Sequence, residues 1–473
     1  MRGGAAGSTL VVVSVVSTVL AAQNRTEPAW GRVQEETIQH FQALLRMDTS
    51  DPPGNERPAA EYLKQALERE GIPVQLFESE ANRVNVVARL KGNGRKRPLL
   101  IMAHTDVVTV DPKKWTFPPF SATRDGGYVY GRGAIDDKDN VVAALMTMVT
   151  LKRMKVALDR DVIFLAEAGE EGTTRVGIQY MVQRHFSEID AEFCYAEGGG
   201  VARVAGRIQH AALQTGEKIP YSIELTASGT SGHGSVPLAD NAVVRLSAAI
   251  ATVGAWKPPI RLNDTTREYF RRLAEISLPA AATRYRAVLD PAPKSASDAV
   301  DYFAQHEPRH ASMLRSSISP TMIQGGYRLN VIPSEARATL DVRLLPDEDP
   351  AHFLDAVRKA VNDPAVKVAY GARDIRPGAP SARLDTEAFK VLQSVAQRHY
   401  DTIVLPTMST GATDMSYLRA KGVQCYGIGA ATDVEDGPKG FGAHSDQERI
   451  LEEELHRFVR FNWDIVKDLA ETK

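Results

Sequence analysis

An apolar stretch from Leu99 to Ala103 ends abruptly in His104, Thr105 and Asp106. The apolar run predicts a buried strand, and a strand interior does not favour an imidazole or a carboxylate. In an open α/β sheet, ligands bind at the carboxyl ends of the strands. His-x-Asp at such a point supplies a nitrogen ligand and a carboxylate that can orient it. Taken alone, the same pattern is also compatible with an ordinary surface pair.

Acidic residues follow two further predicted strands. Val162–Ala166 runs into a segment that contains Glu170 and Glu171, and Phe193–Ala196 runs into Glu197. Two adjacent glutamates repel each other unless a cation or a proton lies between them. The simplest interpretation makes one of them a metal ligand and leaves the other free as a base.

Two loops add further candidate ligands. A glycine-rich loop brings Asp136 and Asp137 just before a predicted helix, and a loop near the C-terminus carries His444. Imidazoles and carboxylates without a thiolate are typical of zinc, cobalt or manganese in a hydrolytic site. The carboxylates outnumber what one ion needs, and two metals about 3.5–4 Å apart require a bridging carboxylate. The pattern therefore favours a two-metal centre.

The composition limits the class of protein. The chain has 473 residues, 43% hydrophobic and 25% charged, which is typical of a globular protein with a large core. Its formal net charge of -2 provides no basic field for nucleic acid. Cys194 and Cys425 lie in apolar, strand-like segments, which favours buried thiols, but export would permit a disulfide and the sequence does not decide between the two.

The N-terminal segment predicts export. An apolar run from Leu10 to Ala22 follows Arg2 and ends in small residues, so residues 1–22 are interpreted as a signal peptide. The alternative is an uncleaved signal anchor. With the signal removed, we expect a periplasmic or secreted protein without a stable membrane anchor.

The predicted elements divide the chain into three parts. Strands and helices alternate over residues 30–212, which predicts an α/β catalytic domain with a mostly parallel sheet. Residues 213–374 are interpreted as an inserted ferredoxin-like βαββαβ domain, interrupted by a long polar excursion from Lys257 to Ser319. Its strands are expected at Tyr221–Ala227, Tyr327–Ile332, Ala336–Leu344 and Val366–Tyr370. Residues 375–473 complete the catalytic domain.

The chain resembles the M20 metallopeptidases, whose members include glutamate carboxypeptidase, aminoacylase, acetylornithine deacetylase and succinyl-diaminopimelate desuccinylase. The resemblance covers nearly the whole mature chain. The segments that carry it, in order, are Asp51-Pro52-Pro53-Gly54-Asn55-Glu56, His104-Thr105-Asp106, Gly131-Arg132-Gly133, Asp136-Asp137-Lys138, Glu170-Glu171-Gly172, Ser231-Gly232-His233-Gly234-Ser235-Val236-Pro237 and Asn330-Val331-Ile332-Pro333.

The resemblance implies a two-zinc site. In this interpretation the metal ligands are His104 and Glu197 on one zinc, Glu171 and His444 on the other, and Asp136 between them. Asp106 would orient His104. Glu170 would be the general base, which takes a proton from a water bridging the metals and returns it to the departing amine. The resemblance also implies a cis peptide between Asp136 and Asp137.

The inserted domain would be a lid through which the family dimerises. By resemblance, His233 would reach the active site of the partner subunit in a homodimer and stabilise the tetrahedral oxyanion of the substrate there. Asn330 and Arg343 would bind the polar end of the substrate, and the planar fork of arginine suits a carboxylate. Gly411 matches a glycine-rich loop near that carboxylate.

These observations together predict a zinc-dependent hydrolase that cleaves an amide bond in small peptides, with cobalt or manganese as alternative metals. The first alternative is an N-acyl amino acid deacylase. An alternative of another class is an inactive metal-binding or peptide-binding scaffold. The long excursion departs from the family pattern and leaves the identity of the substrate open.

Overall fold

The structure is a computed structural model, and it describes residue 3 and residues 27–290, 293–372 and 376–472. The predicted signal peptide lies outside the described residues apart from Gly3, and it stays a prediction. Among the described residues, no helix combines the length and the apolar character that crossing a bilayer requires.

The elements are given with their bounds in chain order. Within the described ranges the helices are α1 Trp30–Leu45, α2 Arg57–Arg69, α3 Lys138–Arg153, α4 Ile178–Arg184, α5 Phe186–Ile189, α6 Ala242–Ala255, α7 Asp264–Ile276, α8 Pro279–Ala287, α9 Pro293–His306, α10 Pro308–Met313, α11 Pro350–Val361, α12 Glu387–Tyr400, α13 Met415–Arg419, α14 Asp436–Lys439 and α15 Glu452–Ala470. The strands are β1 Ser50–Asp51, β2 Val74–Glu80, β3 Arg83–Leu90, β4 Leu99–His104, β5 Val107–Val108, β6 Thr123–Asp125, β7 Tyr128–Tyr130, β8 Val162–Glu167, β9 Phe193–Ala196, β10 Gly200–Val204, β11 Arg207–Glu217, β12 Ile219–Ser228, β13 Gly232–His233, β14 Ser317–Gly325, β15 Val331–Ile332, β16 Glu335–Leu344, β17 Val366–Tyr370, β18 Val404–Ser409, β19 Gln424–Gly427, β20 Ala431–Asp433 and β21 Arg449–Leu451.

The catalytic part is built on a mixed sheet of ten strands. Its centre is a parallel set in the order β8, β4, β9 and β19, and each of these strands is buried along most of its length. The flanking strands are partly antiparallel, with β3 antiparallel to β8 and β11 antiparallel to β19. This arrangement confirms the predicted α/β class. The central strands are buried on both faces of the sheet, which explains why their sequences are continuous apolar runs.

Helices cover both faces of this sheet. α1, α3, α12 and α15 contribute to the large apolar cluster on one face, and α4 and α13 contribute to the cluster on the other. Cys194 and Cys425 face each other in register on β9 and β19 as buried free thiols, in agreement with the prediction.

The inserted part contains an antiparallel sheet of four strands in the order β14, β16, β12 and β17. With α6 and α11 this is the expected ferredoxin-like βαββαβ arrangement. The prediction of a sheet strand at Tyr327–Ile332 is wrong in its position: only Val331–Ile332 forms a strand, which pairs with β13 outside this sheet, and Ser317–Gly325 takes the expected place in the sheet. β14 is an edge strand whose residues from Ser319 onward are exposed, so it lacks the apolar alternation that would have revealed it.

The excursion between Lys257 and Ser319 forms α7 to α10 and has a small apolar core of its own, which includes Phe270 and Phe303. It also contacts the catalytic part: Arg272 Nη1 donates to the carbonyl of Val404 at 2.7 Å, and the Tyr269 side chain packs near Met408. The excursion is therefore packed against the catalytic sheet as well as connected to the inserted one. The domain boundaries at residues 212/213 and 374/375 stay predictions.

Candidate metal centre

The parallel strands bring the predicted site residues to one edge of the sheet. His104 is the last residue of β4, and Glu197 directly follows β9. Glu170 and Glu171 lie in the loop that follows β8. β4 is hydrogen-bonded to both β8 and β9, so local motifs that are far apart in sequence meet at their carboxyl ends.

Asp136 lies between two imidazoles. Its Oδ1 is 3.1 Å from Nε2 of His104, and its Oδ2 is 3.1 Å from Nε2 of His444. Each oxygen of one carboxylate thus faces a different histidine, as a carboxylate that bridges two cations requires. The Asp136–Asp137 peptide is cis, as the resemblance implies.

Glu171 and Glu197 extend this arrangement on opposite sides. Glu171 Oε1 lies 2.8 Å from Nε2 of His444, whereas Glu197 Oε2 lies 3.9 Å from Nε2 of His104. Ligand atoms of His104, Asp136 and Glu171 lie within 4.8 Å of one another. The same holds for His104, Asp137 and Glu197, so Asp137 is also a candidate ligand, although the ligand set that the resemblance implies does not include it.

Asp106 supports the site differently from the expectation. Nδ1 of His104 lies 3.0 Å from the main-chain oxygen of Asp106, and the carboxylate is more distant at 3.6 Å. The Asp106 carboxylate instead accepts the main-chain N–H groups of Glu170 and Glu171 at 3.1 and 3.0 Å. Asp106 therefore orients His104 through its carbonyl and fixes the Glu170–Glu171 loop through its side chain, which leaves Nε2 directed toward Asp136.

Arg132 and Glu448 hold together the two loops that carry Asp136 and His444. Glu448 accepts from Arg132 Nη1 at 2.6 Å and from the main-chain N–H of Ile135 at 2.8 Å. Arg132 Nη2 also donates to the carbonyl of Ser445 at 2.9 Å. Both charged side chains are buried, so this ion pair fixes the spacing between the two ligand loops.

Arg376 contacts the predicted base directly and was missed from the sequence. Its Nη2 donates to Glu170 Oε1 at 2.9 Å and to the Glu170 carbonyl at 3.1 Å. Its Nη1 donates to Asp414 Oδ1 at 2.7 Å. Burial raises the pKa of Glu170, and the charge of Arg376 opposes that rise. No pattern around Arg376 signals this role, since it lies in a segment without apolar periodicity.

A second arginine, Arg83, holds the Asp51–Glu56 segment in place. Arg83 donates to both oxygens of Glu56 at 2.8 Å and to Asp51 Oδ2 at 2.8 Å. Asp51, Glu56 and Asp106 also form a cluster of three buried carboxylates. Because the Arg83 guanidinium already contacts two of them, the Asp51–Glu56 motif forms a structural ion-pair network and not a further cation site.

The electrostatics of the centre suit bound cations. Burial and then the charge of Glu170 raise the pKa of Glu197 well above its ordinary value. The hydrogen bonds that His444 donates to the carboxylates of Asp136 and then Glu171 raise its pKa to about 10. Burial acts to raise the pKa of Asp136, but the two histidines outweigh it and hold that pKa low. The carboxylates therefore attract positive charge, which metal ions would supply.

Two of the predicted substrate residues lie together on the inserted part. His233 faces Val331 in the β13–β15 pair, and the main-chain N–H of Gly234 donates to the Asn330 carbonyl at 2.9 Å. His233 and Asn330 are both exposed. Among the described residues, no contact joins His233 or Asn330 to the centre in the same chain.

Arg343 and Gly411 lie near the junction of β11 and β12. Arg343 forms an ion pair with Asp341 at 2.7 Å, and its charge acts on the buried Lys218. The Gly411 N–H donates to Ser409 Oγ at 3.0 Å, and the Lys218 N–H donates to the Ser409 carbonyl at 3.0 Å. Lys218 was not predicted; burial lowers its pKa to about 7.

Comparisons with known proteins agree with this geometry. A sequence model of "Peptidase family M20/M25/M40" matches residues 100–468. The chain is 29% identical to "Probable carboxypeptidase S-like 2" of Dictyostelium discoideum over 67% of this chain. That alignment spans 62% of the relative's own length.

Two further similarities cover a larger share of the other protein's length. The chain is 25% identical to "N-fatty-acyl-amino acid synthase/hydrolase PM20D1" of Xenopus tropicalis, over 78% of this chain and 72% of that protein. The fold is similar to the crystal structure of the M20 family metallo-carboxypeptidase Sso-CP2 from Sulfolobus solfataricus, with a TM-score of 0.68 and 23% identity. That similarity covers 91% of this chain and 98% of the other.

Proposed function

The chain belongs to peptidase family M20/M25/M40 and is a metallohydrolase, and on that premise we propose that it cleaves amide bonds in small peptides. The proposal rests above all on Asp136, whose two carboxylate oxygens each lie 3.1 Å from a different histidine. This is the arrangement that a pair of cations sharing one carboxylate needs.

The residues present suit two zinc ions. His104 and Glu197 would hold one ion, Glu171 and His444 would hold the other, and Asp136 would bridge them. The ligand set contains imidazoles and carboxylates, which zinc accepts at catalytic sites, and cobalt or manganese could be bound by the same ligands. When bound, the metals would act as Lewis acids that polarise the scissile carbonyl and acidify a water molecule.

Glu170 is the residue proposed to move the proton. Its carboxylate is nearly buried beside Glu171, and Arg376 fixes one of its oxygens at 2.9 Å. A base held in this way can accept a proton from water and return it to the departing amine. The Asp106 side chain accepts a hydrogen bond from the Glu170 main chain, so the backbone that carries the Glu170 carboxylate is held in place.

The substrate class is proposed from the relatives and from the distribution of charge. One relative is named as a carboxypeptidase and another as an N-fatty-acyl-amino acid hydrolase. Both kinds of substrate contain an amide beside a free carboxylate, which Arg343 and the Gly411 loop would bind. An N-acyl amino acid deacylase is therefore the second candidate.

The inserted part is proposed to form a homodimer. Its edge strand β14 exposes Met322 and Ile323, and an open strand edge readily pairs with another chain. The exposed His233 would then face the centre of the partner subunit. Sedimentation of the wild type should give a dimer, and Ile323→Lys should shift it to the monomer. A monomeric wild type would contradict this arrangement. Export through the Leu10–Ala22 segment is also a proposal, which the mass of the mature protein tests.

The catalytic proposal is tested with Glu170→Gln and the matched control Glu453→Gln, an acid that is 75% exposed on α15. On zinc-loaded protein, a panel of dipeptides, N-acetyl amino acids and N-long-chain-acyl amino acids separates peptidase from deacylase. We expect Glu170→Gln to retain two zinc ions and to lose about 10²–10⁴-fold in kcat, because it removes the base. Unchanged turnover would exclude Glu170 as the base. An inactive wild type that binds two zinc ions would favour the scaffold alternative.

A further inference from the structure

A cavity of about 520 Å³ is lined in part by the two loops that carry Asp136 and His444, and one cation in its wall pairs with none of the described residues. Its walls come from three separate segments: Tyr128 and Ile135, Arg309 on α10 of the excursion, and the stretch around Val434 and Phe441. The volume lies within the range of small-molecule sites, about 300–1,000 Å³. The cavity exists because the excursion lies against the catalytic part.

The cavity is close to two proposed metal ligands. Ile135 and Ala443 line it, and they directly precede Asp136 and His444 in the chain. Consecutive Cα atoms are about 3.8 Å apart, so the cavity wall is one residue along the chain from each of these two proposed ligands. The cavity can therefore receive part of a substrate whose amide lies at the metals.

Three of the charged side chains in the cavity wall are paired with other described residues, and the fourth, Arg309, is not. Asp436 is held by Arg449 with contacts of 2.7 and 3.0 Å. Asp433 contacts Arg203 at 3.1 Å and accepts from Tyr128 Oη at 2.9 Å. Arg309, in contrast, has no hydrogen bond or ion pair with any described residue. The unbalanced charge of the cavity is consequently positive.

Apolar surface accompanies this cation. Ile135, Val434 and Phe441 line the same space. Arg343 and Gly411, which are proposed for the substrate carboxylate, do not line it, so the cavity is available for the other side of the scissile amide. A fitting group has an apolar stem and ends in an anion that the guanidinium can bind.

We propose that this cavity binds the acyl side of the substrate and that Arg309 selects acyl groups or amino-terminal side chains that end in a carboxylate. This inference rests on the proposed amide hydrolysis. Arg309 is a specificity residue supplied by the excursion, and the excursion is thereby part of the substrate site.

Isosteric pairs of substrates test the selection. Glu-Leu is compared with Gln-Leu, and N-succinyl-leucine with N-butanoyl-leucine, on the wild type and Arg309→Gln. We expect the wild type to favour the charged member of the cleaved pair by about tenfold in kcat/KM, mostly through KM. Arg309→Gln should abolish that preference, so that the charged and neutral members are cleaved with about equal kcat/KM. Arg309→Lys should retain part of the preference.

Arg267→Gln is the matched control, because Arg267 is an exposed cation on α7 of the same excursion and does not line the cavity. It should retain the full preference. Equal cleavage of charged and neutral substrates by the wild type would overturn the proposal, as would a preference that survives in Arg309→Gln.

A binding measurement separates this proposal from the catalytic one. Zinc-loaded Glu170→Gln protein is titrated by calorimetry with the same four compounds, with and without Arg309→Gln. Preferential binding of the charged compounds that Arg309→Gln removes would support the cavity even if the wild type hydrolyses none of them, in which case the proposed function fails alone. Equal binding of charged and neutral compounds would overturn the cavity proposal whatever the turnover.

Discussion

Arg376→Met removes the cation that contacts the proposed base. Arg376 lies between Glu170 and Asp414, whose side chains are only 9% and 0% exposed. Methionine is similar in length and apolar, so it fills part of the space without replacing the charge. The two buried carboxylates would then face each other without compensation.

The size of the effect follows from that geometry. Removal of one partner from a buried ion pair typically destabilises a protein by about 3–5 kcal/mol. Burial already raises the pKa of Glu170, and Arg376 acts against it. Since an adjacent opposite charge lowers a carboxyl pKa by about 1–3 units, its loss should raise the pKa of Glu170 further. The base would then be protonated up to a higher pH.

The assay is the pH dependence of kcat on zinc-loaded enzyme, with thermal unfolding measured in parallel. We expect the acid limb of the Arg376→Met profile to move upward by about one to two pH units, with turnover partly recovered at alkaline pH. Arg376→Lys should lie between the variant and the wild type. Arg383→Met is the control, because the Arg383–Asp385 pair is 70% and 64% exposed and such pairs contribute little.

An unchanged acid limb in a destabilised Arg376→Met variant would refute the argument, because Arg376 would then act only on stability. Unchanged stability and an unchanged profile would show that the ion pair contributes to neither property.

Three other perturbations have defined outcomes. Lys218→Met removes a buried amine whose pKa burial lowers to about 7 in the folded state. Between pH 7 and about 10.4 only the unfolded chain binds that proton, so the stability of the wild type should rise with pH and that of the variant should not. Thermal midpoints that change in parallel for the variant and the wild type would contradict this. His444→Ala should reduce the zinc content from two ions to one by mass spectrometry, because it removes the side chain 2.8 Å from Glu171; two retained ions would exclude His444 as a ligand. Gly54→Ala should lower the free energy of unfolding by about 2–4 kcal/mol in urea, since its Cβ would lie 2.2 Å from Arg83 Cζ at a φ of +83°; a neutral change would show that Arg83 moves freely.

Much of the fold could be predicted because runs of apolar residues indicate which segments are buried strands. The central strands β8, β4 and β9 are continuous apolar runs, so each can be identified independently of its neighbours. β14 could not be found in this way, because it pairs with β16 at the edge of the inserted sheet and most of its residues are exposed. The excursion has a polar sequence because its four helices bury only a small shared core.

The candidate site divides in a similar manner. His104, the Glu170–Glu171 pair and Glu197 could be singled out from the sequence because each lies at or near the end of an apolar strand, whereas the choice of Glu171 as the ligand came from the resemblance. The roles of His233 and Asn330 stay predictions, since no contact among the described residues joins them to the centre. Asp106 was expected to orient His104 through its carboxylate, but the main-chain oxygen is the closer atom.

The sequence by itself determined the chemical type of the centre: imidazoles and carboxylates without thiolates, placed where parallel strands end. Parallel strands in one sheet direct their carboxyl ends to the same edge, so short motifs are enough to predict the cluster. Only the tertiary structure revealed Arg376 beside Glu170, 206 positions away in the chain, and placed Arg309 in the wall of the cavity that Ala443 also lines. A charged side chain in an irregular segment has no periodic signal, and its partners are decided by the packing of distant segments.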